Sequence, residues 1–111
     1  MPKYQAENGE WHTLITDTSS YTETSATAGF GYGILKGIRL GMLEDKFKDC
    51  GLKALEAVSN RIDEKGILQQ VSYGTAMGND LDYYRNIPIC PMPYGQALAL
   101  LLLGEGLLHL N

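Results

Sequence analysis

Between Ser20 and Met42, apolar and small residues fall at helical spacing, with Ile34, Leu35, Ile38, Leu40 and Met42 set among glycines at every fourth position: Gly29, Gly33, Gly37 and Gly41. Ser20-Tyr21-Thr22-Glu23 fits the S-x-x-E capping box, in which serine oxygen and glutamate carboxylate each satisfy an orphan backbone N–H. The pattern therefore predicts a helix over Tyr21–Gly41. Each interior glycine costs a helix about 1 kcal/mol relative to alanine, so the ladder predicts that another element approaches that face closely. A second helix is predicted over Glu44–Asp63, where Phe47, Leu52, Leu55 and Val58 form one apolar side among Lys46, Lys48, Asp49, Lys53 and Glu56. The last predicted helix starts near Pro93, where a missing N–H costs nothing, and runs to Leu110. It is apolar nearly all round, as expected of a helix surrounded by protein.

The stretches between are less regular. Residues 1–19 read as a polar lead-in loop carrying one extended-looking run, Trp11 to Ile15. Gly66 to Gly74 reads as one or two short strands, Asp80 to Tyr84 as a helical turn stopped by Pro88, and Pro88, Pro91 and Pro93 as a stiff connection. Three helices enclose one stripe each, whereas the first and last here call for neighbours on several sides. The chain thus reads as a piece of a larger helical assembly, or as one that associates to cover what it cannot bury alone.

Composition adds limits. At 111 residues, 44% hydrophobic and 20% charged, the chain fits one globular domain. A net charge of -4 with nine scattered basic residues argues against nucleic acid and against a membrane surface. Lys36 and Arg39 within the glycine ladder weaken any membrane-dimerising reading of it, and Glu105 and His109 break the last apolar run, which is too short for a span. Cys50 and Cys90 match neither a metal pattern nor a disulfide scaffold, so both are expected as free thiols. No signal-peptide pattern opens the sequence, and cytoplasmic and periplasmic locations both stay open.

Trp11-His12-Thr13-Leu14-Ile15, followed by Tyr21 through Ile34, resembles the W-x-x-[LV]-[ILV] and Y-x-E-[TA]-S-[AG]-[TS] stretches of glycoside hydrolase families 88 and 105, the unsaturated glucuronyl and rhamnogalacturonyl hydrolases. Tyr73-Gly74-Thr75-Ala76-Met77-Gly78, Tyr84-Arg85 and Pro93-Tyr94-Gly95-Gln96 resemble later segments of the same family in the same order. The resemblance implies an all-α fold: the last three helices, inner, outer and inner, of an (α/α)6 barrel of twelve, with a short β-hairpin or loop insert near 66–90. The whole of 1–111 would be a single C-terminal fragment of that hydrolase domain. The implied reaction removes a 4,5-unsaturated uronic acid from oligosaccharides made by polysaccharide lyases. An aspartic acid protonates the double bond and then activates water, and no metal or organic cofactor is needed. The resemblance puts those aspartates upstream of this sequence, so it assigns no catalytic residue here and implies a chain inactive alone. Its partners would be the unsaturated oligosaccharide and the missing N-terminal part. Cys90-Pro91-Met92-Pro93-Tyr94-Gly95 departs from the D-x-H-G type segment commoner in the family, which leaves the substrate open.

Six residues stand out as candidate sugar contacts. Trp11 offers an aromatic face, though a tryptophan beside Leu14 also suits packing. Ser25 and Thr27 carry hydroxyls in the first turns of the first helix, where they can bind a sugar or bond back to the backbone. Tyr73, Thr75 and Arg85 lie in the loop-rich stretch, and arginine is a natural partner of a uronate carboxylate, with Asp80 and Asp82 as competing partners. Glu23 is accounted for by the capping box. His12 and His109 lack further ligands at metal spacing, so no metal site is expected. A different class of function, a helical module that self-associates through Gly29, Gly33 and Gly37 and the last helix, is the alternative.

Overall fold

The computed structural model of the chain describes residues 2–72 and 85–109. Three α-helices dominate it: α1 (Thr24–Arg39), α2 (Lys48–Asn60) and α3 (Pro93–Leu107). Short 3-10 turns cover Pro2–Tyr4 and Asp45–Phe47. Among the described residues the fold is all-α, without strands. Isolated antiparallel bridges pair His12 with Thr22, Ile62 with Leu68 and Ser72 with Ile89. Of the stretch expected as short strands over 66–74, residues 66–72 carry only the bridges at Leu68 and Ser72, and its last two residues lie outside the described residues, as does the helical turn expected over Asp80–Tyr84. Among the described residues no helix is long and apolar enough to cross a membrane.

The first helix starts three residues later than its capping box suggests. Ser20 is spent on a turn, donating its hydroxyl to the Asp17 carbonyl at 2.7 Å and accepting from the Leu14 amide. Thr22 is held extended by its bridge to His12. Glu23 becomes the cap instead, with φ -125° and ψ 118°, and its carboxylate accepts from the Ala26 amide at 2.7 Å. The second helix is likewise shorter than its pattern, because Asp45–Phe47 forms a tighter turn before it. The third begins at Pro93 as expected and ends at Leu107.

α1 packs against both other helices. Arg39 near its C-terminus reaches Glu105 near that of α3, and its N-terminal turn meets the 69–72 segment that Tyr94 of α3 also contacts, so α1 and α3 run parallel. The three helices meet at Gly31, where an added Cβ would sit 2.8 Å from the Ala54 Cβ and 3.2 Å from Leu102. Only glycine fits between α2 and α3 at that point. The core around it comprises Ala28, Leu35, Val58, Leu68, Val71, Ala99 and Leu102. Burying a side chain such as Leu35 or Leu102 contributes about 1.5–3 kcal/mol each. α2 turns its small residues Cys50, Gly51, Ala54 and Ala57, with Val58, inward, while Leu52 and Leu55 sit half-buried at the edge. Both cysteines are free, and burial raises the pKa of the Cys50 thiol.

The glycine ladder does not form this seam. Gly29 and Gly33 face open space, Gly41 ends the helix at φ +77°, and Gly37 is covered by Leu43 of the turn that follows. Nor is α3 surrounded: Gly95, Ala99, Leu102, Glu105 and Gly106 are buried, but Leu100, Leu101, Leu107 and Leu108 are 46–66% exposed. The enclosure predicted for both helices needs neighbours beyond these three.

The lead-in segment is irregular but firmly built in. Gly9, at φ +92°, lies so close to α2 that a Cβ would stand 2.4 Å from the Lys53 carbonyl oxygen. Glu10, 1% exposed, accepts two hydrogen bonds from Arg61 at 2.7 and 2.9 Å, one from the Thr22 hydroxyl and one from the Asn8 amide. Burial pushes its carboxyl pKa up, and the hydrogen bonds from Arg61 and Thr22 more than reverse this, so it lies below the ordinary value. At the other end, the Arg39 fork holds the buried Glu105 at 2.7 and 3.0 Å and keeps its carboxyl low, with His109 at 3.1 Å.

Candidate functional site

A pocket of about 650 Å³ opens at the end where α1 and α3 begin. The lead-in segment supplies His12, Thr13 and Ile15. The start of α1 supplies Glu23, Ser25, Ala26, Gly29 and Phe30, and Ser72, Tyr94 and Leu98 close the remaining side. The wall combines two aromatic rings and aliphatic surface with hydroxyls, an imidazole and a carboxylate, as in sites for small polar ligands with apolar faces.

Glu23 organises this end of the molecule. Its carboxylate, in a residue 4% exposed, accepts from the Ser25 hydroxyl at 2.7 and 2.8 Å, from the Ala26 amide at 2.7 Å and from the Ser72 amide at 2.8 Å. The positive end of the α1 dipole adds to its hold. Three donors lock the group in place. Thr24 continues the clamp, donating its hydroxyl to the Gln69 and Gln70 carbonyls. Gln70 takes φ 67°, a left-handed conformation that costs a non-glycine residue energy and persists because the surrounding bonds fix it. Ser72 is held at both ends, its amide by Glu23 and its carbonyl by the Tyr94 hydroxyl.

Ser25 lines the pocket and donates its hydroxyl hydrogen to Glu23, so toward a further partner its oxygen can act only as an acceptor. His12 Nδ1 lies 2.6 Å from the Ser20 carbonyl oxygen. A carbonyl only accepts, so Nδ1 carries the hydrogen, and in the neutral ring Nε2 is an acceptor.

The six residues singled out from the sequence fall in different places. Ser25 lines the pocket. Thr27, fully buried, has its hydroxyl occupied, donating to the Glu23 carbonyl at 2.9 Å and accepting from the Trp11 amide at 3.1 Å. Trp11 is also fully buried and meets Phe30 edge to face, with ring centroids 5.2 Å apart. It backs the pocket wall through Phe30. Arg85 donates to Asp17 at 2.6 and 2.9 Å, and with Ser19 it lowers the Asp17 pKa to about 2, the Ser19 hydroxyl contributing most. Tyr73 and Thr75 lie outside the described residues, as do Asp80 and Asp82.

His12, Glu23, Phe30, Ser72 and Tyr94 were absent from that set. The Pro93-Tyr94-Gly95-Gln96 motif carried a signal for Tyr94, and the capping pattern carried one for Glu23. The sequence around His12 carries no signal for a pocket position, and its approach to α1 follows from the turn at Asp17–Ser20.

Residues 1–109 match Glycosyl Hydrolase Family 88. Unsaturated rhamnogalacturonyl hydrolase YesR of Bacillus subtilis (strain 168) is 34% identical over 106 residues, which cover 95% of this chain and 29% of that protein. The crystal structure of a possible member of the GH105 family from Salmonella enterica (serovar Paratyphi A) superposes with a TM-score of 0.95 at 50% identity, covering 97% of this chain and 29% of that one. Another possible GH105 member, from Klebsiella pneumoniae, gives 0.94 at 48% identity over 96% of this chain and 28% of its own. A family 105 glycoside hydrolase from C. acetobutylicum gives 0.82 at 25% identity over 93% and 33%. The chain thus spans less than a third of the first two relatives.

Proposed function

This chain belongs to glycosyl hydrolase family 88, and from that premise we propose that it forms part of the substrate-facing wall of an unsaturated-uronide hydrolase. In this reading α1 and α3 are inner helices and α2 an outer one, 1–111 is a C-terminal portion of the barrel, and the pocket opens toward its mouth. The substrate class is an oligosaccharide ending in a 4,5-unsaturated uronic acid. The observation that carries the reading is the pocket itself, placed where two parallel helices of a family fold both begin.

The residues here bind and orient. Phe30 and Leu98 offer apolar contact to the sugar ring, and Ser25 and His12 Nε2 accept from its hydroxyls. Gly29 leaves clearance for the ring. Glu23 holds the 69–72 segment against the start of α1, so the wall is formed before a ligand arrives. Protonation of the double bond and activation of water fall to aspartic acids in the part of the fold that this chain lacks. Arg85, paired with Asp17, remains a candidate for the uronate carboxylate, together with Tyr73 and Thr75.

The test is a hybrid in which this chain replaces the matching segment of the Bacillus relative, with loss of the ultraviolet absorbance of the unsaturated ring as readout. The hybrid should hydrolyse lyase-generated oligosaccharides and the isolated chain should not. Gly29→Leu, which fills the pocket without touching the core, should abolish the hybrid's activity while its melting curve stays intact. Undiminished turnover in that variant would remove the pocket from the substrate path.

A further inference from the structure

With the pocket taken as that of the proposed function, we propose that His12 makes it selective for a free sugar hydroxyl. Its Nε2 is locked as a hydrogen-bond acceptor, so it admits a ring that carries an O–H there and rejects one whose substituent accepts without donating.

The lock has two parts. Along the backbone, the Glu23 amide donates to the Trp11 carbonyl at 3.0 Å and the Thr13 amide to the Tyr21 carbonyl at 2.8 Å, with His12 bridged to Thr22 between them. At the ring, Nδ1 donates to the Ser20 carbonyl at 2.6 Å. That carbonyl belongs to a turn which the Ser20 hydroxyl closes through Asp17 and Leu14, so it is itself fixed. A neutral ring held in this way keeps its hydrogen on Nδ1 and a lone pair on Nε2. Among the described residues no group bonds Nε2, and His12 lines the pocket.

The rest of the wall asks the same of a ligand or asks nothing. Ser25 has committed its hydrogen to Glu23 and can only accept. The Glu23 carboxylate is filled by Ser25, Ala26 and Ser72, and the Tyr94 hydroxyl donates to the Ser72 carbonyl. The Thr13 hydroxyl rotates to donate or accept and so distinguishes nothing. The fixed polar atoms left on this wall are thus acceptors, and only a donor satisfies them. A site built to bond a hydroxyl rejects the analogue lacking it, because its own polar group is then left unpaired.

The experiment uses the hybrid enzyme and disaccharides of the unsaturated uronic acid whose C2 or C3 hydroxyl is replaced by hydrogen or by fluorine. They are measured as competitors of the parent substrate at about pH 8, where an imidazole is ordinarily neutral. Fluorine restores an acceptor but no donor. At one of the two positions the deoxy and deoxyfluoro compounds should bind equally, about tenfold more weakly than the parent. His12→Phe should weaken the parent about tenfold and the deoxy compound not at all, a coupling that a purely structural role would not produce. Three results would each overturn the selectivity of His12 and leave the proposed function standing, provided that the hybrid hydrolyses the parent: no loss on removing either hydroxyl, affinity restored by fluorine at both positions, or a hydroxyl loss that costs as much in His12→Phe as in the unsubstituted hybrid. If His12→Phe fails to fold, the comparison of hydrogen with fluorine in the His12 hybrid decides. A hybrid that hydrolyses nothing would overturn the proposed function and the selectivity with it.

Discussion

Replacing Arg61 with alanine strips the guanidinium from Glu10, the most deeply buried carboxylate described. Removing one partner of a buried ion pair costs about 3–5 kcal/mol. Glu10 would keep the Thr22 hydroxyl and the Asn8 amide, and the Arg61 side chain is 35% exposed, so water can enter the vacated volume. These reduce the expected loss to about 2–3 kcal/mol near neutral pH. The pH dependence gives a second, independent check. In the wild type the Glu10 pKa lies below its ordinary 4.5, so its stabilisation is complete above that value and is lost as pH falls through the folded-state pKa. Arg61 is the largest of the influences that lower this pKa, so without it the pKa rises and the variant loses less stability than the wild type as pH falls through the carboxylate range. The gap between the two proteins should therefore be widest near neutrality and narrow toward about pH 4. Urea unfolding at both pH values measures it. A loss under about 0.5 kcal/mol, as for an exposed pair, or a gap independent of pH, would show that water and not Arg61 serves this carboxylate.

Gly31→Ala places a methyl 2.8 Å from the Ala54 Cβ and should lower stability by about 1–3 kcal/mol, whereas Gly33→Ala meets nothing and should raise it by up to about 1 kcal/mol; thermal melts that moved in the same direction would refute this assignment of faces. Glu23→Gln sets an amide N–H₂ or a single carbonyl oxygen against donors that now share a carboxylate, so it should cost about 1–3 kcal/mol and speed hydrogen exchange at the Ser72 amide. Unchanged exchange there would mean that Glu23 does not hold the 69–72 segment. NMR titration should find Asp17 ionised down to about pH 2, so whatever it adds to stability is complete above its ordinary 3.8 and fades as pH falls toward 2. Arg85→Ala should raise that value only part of the way, because Ser19 still donates to the carboxylate; an unmoved titration would exclude the pairing.

The features legible from the sequence were those set by local covalent chemistry. Pro93 marks the first residue of α3 because its ring suits the first helical turn wherever that turn sits. Ser25 reached the candidate set through the same logic, as a small hydroxyl at a helix start. The capping box misled by three residues because Ser20 had a competing use in the Asp17 turn, and the bridge between His12 and Thr22 extended the backbone that the box would have coiled. Both are contacts within the segment that precedes α1, which periodicity does not encode. Thr27 shows the same limit within the helix. Two positions after Ser25 it points inward, so one hydroxyl meets the pocket and the other ties Trp11 to the helix. Which side faces inward depends on where α2 and α3 lie.

The glycines of α1 divide along that same line. Spacing of four identifies a bare face but does not say whether backbone is bared for contact or for clearance. Close contact falls to Gly31, between two members of the ladder and on the opposite side of the helix, where α2 answers with Ala54 and α3 with Leu102. Clearance falls to Gly29, which with Ala26 and Phe30 forms pocket wall, and to Gly33 one turn on, whose open side continues past the pocket. A single helix can carry so many costly residues because two different demands act on its two faces. On the inner face an added methyl would collide with the core, and on the outer face it would take room from a ligand or from the neighbouring helices that the family fold supplies. Within the ladder Gly37 makes room for Leu43 and Gly41 takes the positive φ that ends the helix, so only Gly29 and Gly33 have no contact among the described residues to offset their cost, and their physical justification lies in the space they leave open.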